Sequence, residues 1–109
     1  MKPLAAEVYY NEQLAGILRR SESQFSFRYT ADYVQSILPP ISLTLPKKEG
    51  AFVSPVLFSF FFGLLAEGVA KEIQCRELKI DEQDDMLRLV KTAYSETIGA
   101  VTIRQIPAV

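Results

Sequence analysis

The sequence predicts an α+β domain, a small and mainly antiparallel sheet with about three helices packed on it. Three observations lead there. Short stretches of alternating apolar and polar residues crowd the first half of the chain, and a 3.6-residue apolar stripe runs through Met86, Leu89, Val90 and Ala93 near its end. Between them lies SPVLFSFFFGLLAEGV, an aromatic run with no charge before Glu67. At 109 residues a single domain spanning 1–109 is expected. A chain of about 100 residues leaves roughly a third of its unfolded-state surface exposed after folding, so the core is thin.

The elements follow in order. Glu7 to Tyr10 and Leu14 to Arg19 are β-prone and flank NEQ, which reads as a hairpin whose second strand carries Gly16. In QFSFRYT, Phe25, Phe27 and Tyr29 alternate with Ser26 and Arg28, the pattern of a half-buried strand. ADYVQSI forms a short helical turn before Pro39-Pro40, which remove backbone donors and push Leu38 toward an extended conformation. ISLTL alternates Ile41, Leu43 and Leu45 against Ser42 and Thr44, predicting another strand closed by Pro46.

Ser54 and Pro55 suit the cap and first position of a helix, and Gly68 suits its left-handed stop. At 100° per residue, Val56, Phe60 and Leu64 share one direction and are expected in the core. Leu57, Phe61 and Leu65 share the next direction, and Ser59, Gly63 and Ala66 form a seam of small residues against which a sheet or helix could approach. A helix apolar nearly all round is buried on most sides or has a partner. Its end, Leu65 to Val69, is expected at the surface, where helix termini and their loops lie. Val69 to Leu78 continues as a second helical stretch. Asp81 or Asp84 caps the next helix, whose positive N-terminal end favours Asp81, Glu82, Asp84 and Asp85. Gly99 to Ile106 closes the chain as a strand.

Composition excludes several functions. Apolar residues make up 49% and charged residues 23%, which is ordinary for a folded domain. The net charge is −1 and basic runs do not exceed Arg19-Arg20 and Lys47-Lys48, so direct nucleic-acid binding is not expected. The uncharged run from Ala51 to Ala66 is shorter than the ~20 residues of a membrane-spanning helix, and no membrane association is expected. One cysteine, Cys75, forms no internal disulfide, and MKPLAAEVYY lacks the pattern of a signal peptide, so a cytoplasmic setting is expected. Histidine is absent, removing the commonest general base and metal ligand together, and the glycines form no phosphate loop. Cys75 reads as a packed thiol and the acidic cluster as a solvated helix start without calcium-loop spacing. No catalytic residue, metal or cofactor is expected, and the chain does not read as an enzyme.

The order PPISLTLP, then FFFGLLAEG, then CRELKIDEQDDMLRLV, then ETIGAVTI resembles the N-terminal subdomain of HipA-type serine/threonine kinases, from the hairpin with Leu14-Ala15-Gly16 to Ile103. In that family a kinase core follows the subdomain, and its nucleotide-binding and catalytic residues are not present here. A lone copy resembles the HipS family of tripartite HipB-HipS-HipT toxin–antitoxin systems. The resemblance implies a partner, a HipT-like serine/threonine kinase, and a HipB-like DNA-binding protein joined through a ternary complex. It implies docking near the kinase's active cleft through Phe62, Leu65, Glu67, Gly68, Val69, Lys71 and Glu72. Ala66 stands where the family has proline, and Val69 where relatives often place tryptophan, leaving Glu67, Lys71 or Glu72 to carry more of the contact. Two other roles stay open at this point, a non-inhibitory subunit linking the kinase to the DNA-binding protein and a scaffold piece of a full HipA kinase.

Overall fold

The computed structural model describes residues 3–93 and 100–107. The hairpin forms as the sequence predicts. Strand β1 (Leu4–Tyr10) pairs antiparallel with β2 (Gln13–Arg20). They are joined by Asn11 and Glu12 at φ 46° and 73°, the pair of left-handed residues whose twist matches that of the strands. The register slips beyond Val8, so that Val8 faces Gly16 but Tyr9 faces Leu14. Glycine is required there by close approach: a Cβ on Gly16 would lie 2.4 Å from the Arg28 carbonyl oxygen and 2.8 Å from the Phe27 ring.

Strand β3 (Phe25–Tyr29) adds to β2, β4 (Phe52–Ser54) to β3, and β5 (Val101–Gln105) to the free side of β1. The five-stranded sheet has the order β4-β3-β2-β1-β5, antiparallel throughout. Alternation sends Ala6, Val8, Ala15, Leu18, Phe27, Tyr29, Val101 and Ile103 into the core. Gly99, expected at the start of the last strand, lies outside the described residues.

Four helices occur among the described residues, α1 (Ala31–Gln35), α2 (Ser59–Phe62), α3 (Gly68–Leu78) and α4 (Asp85–Thr92). The small antiparallel sheet with helices is thus the predicted α+β class. In α1 the Thr30 hydroxyl accepts from the Tyr33 amide at 3.2 Å. The Tyr33 ring stacks on Tyr29 with centroids 5.6 Å apart. In α4 the predicted stripe Met86, Leu89, Val90 and Ala93 is buried against the sheet, and the Ile103 amide donates to the Ala93 carbonyl at 2.7 Å.

The segment Ile41 to Leu45 is not a strand. It is a turn held by a lone Ser42–Leu45 bridge, with Ile41 and Leu45 buried and Leu43 in solvent. The Tyr29 hydroxyl accepts from the Ile41 amide at 3.0 Å and donates to the Leu45 carbonyl, so a single phenol gathers both ends of the segment. The outer residues of the alternation pack inward, while its middle one is the tip of the turn.

The aromatic run also departs from expectation. Ser54 does not cap a helix but ends β4 opposite Phe25, so the helix begins only at Ser59 and lasts one turn. The buried residues are Leu57, Phe61 and Leu65; Val56 is exposed and Phe60 and Leu64 are half-buried. The four-residue spacing holds, but its phase is one residue later than the core assignment to Val56, Phe60 and Leu64. Strand pairing turns the chain before the helix starts, and that turn sets the phase. Ser59 and Gly63 of the small-residue seam are exposed, not packed against another element. Gly68 has the expected left-handed φ, +61°, but it opens α3 instead of stopping the preceding helix, which ends at Phe62 with Gly63 as its cap.

Candidate partner-docking surface

Helix α3 has the sequence GVAKEIQCREL, in which apolar residues fall without a continuous stripe. A helix lacking a stripe has little to bury against its own domain. Cys75 is its only buried residue. Val69 and Ile73, four residues apart and therefore on one face, are 69% and 47% exposed. Phe62, the last residue of α2, is 43% exposed. Glu67, Gly68 and Glu72 are exposed and Lys71 is half-buried. Exposed apolar side chains and charges thus alternate along this stretch of chain.

Leu65 does not belong with them. It is 8% exposed and part of the core cluster, because it follows the buried Phe61 at the same four-residue spacing. Its assignment to a free docking surface is therefore corrected; six of the seven expected residues remain wholly or partly accessible.

Arg88, which the sequence reading did not single out, anchors this region. Its side chain is 3% exposed, and Nη2 donates to the Ala66 carbonyl at 2.6 Å while Nη1 reaches Asp85 Oδ1 at 3.3 Å. Buried guanidinium groups are stable only when paired and hydrogen-bonded. Arg88 thus ties the connection before Glu67 and Gly68 to α4. No sequence signal marks it, since an Asp85-Arg88 spacing reads as an ordinary exposed helix pair.

The far end of α3 is closed by backbone geometry. Lys79 is left-handed at φ 56°, its amide donates to Arg76 O at 3.4 Å, and the Ile80 amide donates to Cys75 O at 3.0 Å. This is a Schellman closure with lysine in the place glycine usually takes. Within the acidic cluster, Asp84 Oδ1 accepts from the Leu87 amide at 3.1 Å and Asp81 Oδ1 from the Gln83 amide at 2.8 Å. These carboxylates shape the turn and cap, and among the described residues no group of three potential ligands is placed to hold a metal. Nor is any described helix long and apolar enough to cross a membrane. The chemistry available at this surface is burial: each large apolar side chain fully removed from water contributes about 1.5–3 kcal/mol.

The comparisons with known proteins agree with the architecture. The chain is 34% identical over 101 residues to an uncharacterised protein of Haemophilus influenzae (strain ATCC 51907 / DSM 11121 / KW20 / Rd), covering 93% of this chain and 92% of that protein. Among solved structures it is similar to the N-terminal domain of HipA toxin, with a TM-score of 0.74, 29% identity, and coverage of 95% of this chain and 93% of that one. The model of the HipA N-terminal domain matches residues 6–104. From the first hairpin to the last strand, then, this chain belongs to the HipA N-terminal domain family.

Proposed function

We propose that this domain is an antitoxin that binds and neutralises a HipT-like serine/threonine kinase, docking near its active cleft in the place of an N-terminal subdomain. The observation that carries the reading is α3: eleven residues, one buried, with Val69 and Ile73 exposed on one face. A domain with so thin a core gains little by leaving such residues in water unless another surface covers them. Glu67, Gly68, Val69, Lys71 and Glu72 form the contact with Phe62, and Arg88 holds the connection in place for it. A HipB-like DNA-binding protein joins through the kinase, in the cytoplasm.

The test is reconstitution with a HipT-like kinase from the same genome. Co-expression should relieve growth arrest, the two proteins should co-elute from a sizing column, and the purified domain should suppress kinase activity in a phosphorylation assay. Separate elution at micromolar concentration refutes the reading. Co-elution with undiminished phosphorylation refutes the inhibitory part and leaves an architectural subunit.

A further inference from the structure

Among the described residues, the sheet face that carries Ala6, Val8, Leu18, Phe27 and Ile103 is buried, and the opposite face carries the exposed Arg19, Arg28 and Arg104. Strand register places a row of side chains across that opposite face: Arg104 opposite Glu7, Glu7 opposite Ile17, and Ile17 opposite Arg28. In the adjoining row Arg19 sits opposite Ser26. Three arginines against one glutamate make this a basic face on a chain whose net charge is −1.

Two of these charges are already engaged. The Tyr9 hydroxyl donates to Glu7 Oε1 at 3.2 Å, and the Arg104 guanidinium lies 5.0 Å from the Tyr9 ring centre. Arg19 and Arg28 are exposed, and among the described residues neither has a carboxylate partner. They are diagonal neighbours on adjacent strands, so their Cα atoms stand ~7–8 Å apart. Between them opens a recess of about 430 Å³ that reaches Ile17, Ser26, Thr30 and Ala51. Two guanidinium groups flanking a recess repel each other until an anion lies between them, and guanidinium groups bind carboxylates through paired hydrogen bonds.

We infer that this sheet face is a second docking surface, at which Arg19 and Arg28 receive an acidic segment of a partner protein. Carboxylates suit it better than a nucleic-acid backbone. Glu7 lies in the middle of the row and repels a continuous phosphate track, and Ile17 beside it is an apolar contact for a peptide side chain. The surface lies on the side of the sheet away from α4, and the inference stands apart from the kinase reading. It makes the domain two-sided, with an apolar contact on the helical side and a charged one on the sheet.

The probe is a fluorescein-labelled ten-residue peptide of alternating glutamate and alanine, measured by fluorescence polarisation at low salt with the full chain. Saturable binding is expected, weakened at least tenfold in an Arg19→Gln, Arg28→Gln double variant whose thermal melting is unchanged. A Lys48→Gln, Lys91→Gln double variant removes the same charge elsewhere and should bind within twofold of the parent. Equal weakening by both double variants overturns the inference, because bulk charge then explains the binding. No binding of the peptide overturns it as well. So does tighter binding of a 20-base-pair DNA duplex that is lost in the Arg19, Arg28 variant, which assigns the face to nucleic acid. Should the double variant melt early, the Arg28→Gln single variant gives the same reading, with a loss of threefold or more expected.

Discussion

Arg20 Nη1 donates to Asp84 Oδ1 at 2.5 Å, and that same oxygen accepts from the Leu87 amide at 3.1 Å. One carboxylate therefore caps α4 and fastens it to the end of β2, 64 residues earlier in the chain. The Arg20 side chain is 3% exposed, so removing Asp84 takes a charged partner from a buried guanidinium. Asp84→Ala removes both a charge-assisted hydrogen bond and a helix cap and should cost about 2–4 kcal/mol. Asp84→Asn keeps a capping oxygen and should lie between that variant and the parent in urea unfolding. Equal midpoints for Ala and the parent would refute the pairing.

Phe61 is fully buried, meeting Phe27 at a ring separation of 5.6 Å. Phe61→Ala should cost about 3–5 kcal/mol and largely unfold so small a domain. Phe62→Ala, one residue on but 43% exposed, should cost far less. Paired thermal melts of the two variants decide the phase of the aromatic run.

Val69 separates stability from binding. Because it is 69% exposed, Val69→Asp should shift stability by no more than about 0.5 kcal/mol. Placing an unpaired charge in the proposed interface should weaken kinase binding at least tenfold, as read by calorimetric titration. A variant that folds and binds normally moves the docking surface away from α3.

Lys79 holds a left-handed conformation, φ 56°, that glycine adopts without a Cβ clash. Lys79→Gly should therefore stabilise the domain by about 0.5–1 kcal/mol, seen as a rise of several degrees in Tm. A fall in Tm would show that the lysine side chain contributes more than its backbone strain costs.

Burial pushes the Tyr33 hydroxyl up to about 12, with Tyr29 and Tyr10 adding to the effect, and burial also raises Tyr29. The native state thus keeps a proton that the unfolded chain releases near pH 10. The stability tied to this proton is fully present below pH 10 and is lost as pH rises toward about 12. Tm should be level from pH 8 to 9.5 and fall above pH 10. Absorbance titration at 295 nm should resolve tyrosine ionising later than the exposed rings, and Tyr33→Phe should remove part of that late step.

Local chemistry alone determined the hairpin, β3, the short α1 and the stripe of α4, because period-two alternation and 3.6-residue spacing are properties of neighbouring residues. It also marked Asp84 as a possible cap and Val69 as a surface residue. The order of side chains cannot say which donors and acceptors a distant element will offer. Ile41 to Leu45 alternates like a strand, but the Tyr29 hydroxyl bends it into a turn, and β3 pairing with Phe52–Ser54 delays the aromatic helix and moves its core phase to Leu57, Phe61 and Leu65. Leu65 turned inward for that reason, and Arg88 became an anchor only because α4 lies beside the Ala66 carbonyl. Periodicity is written along the chain, whereas phase, burial and pairing are decided by which elements meet across the sheet.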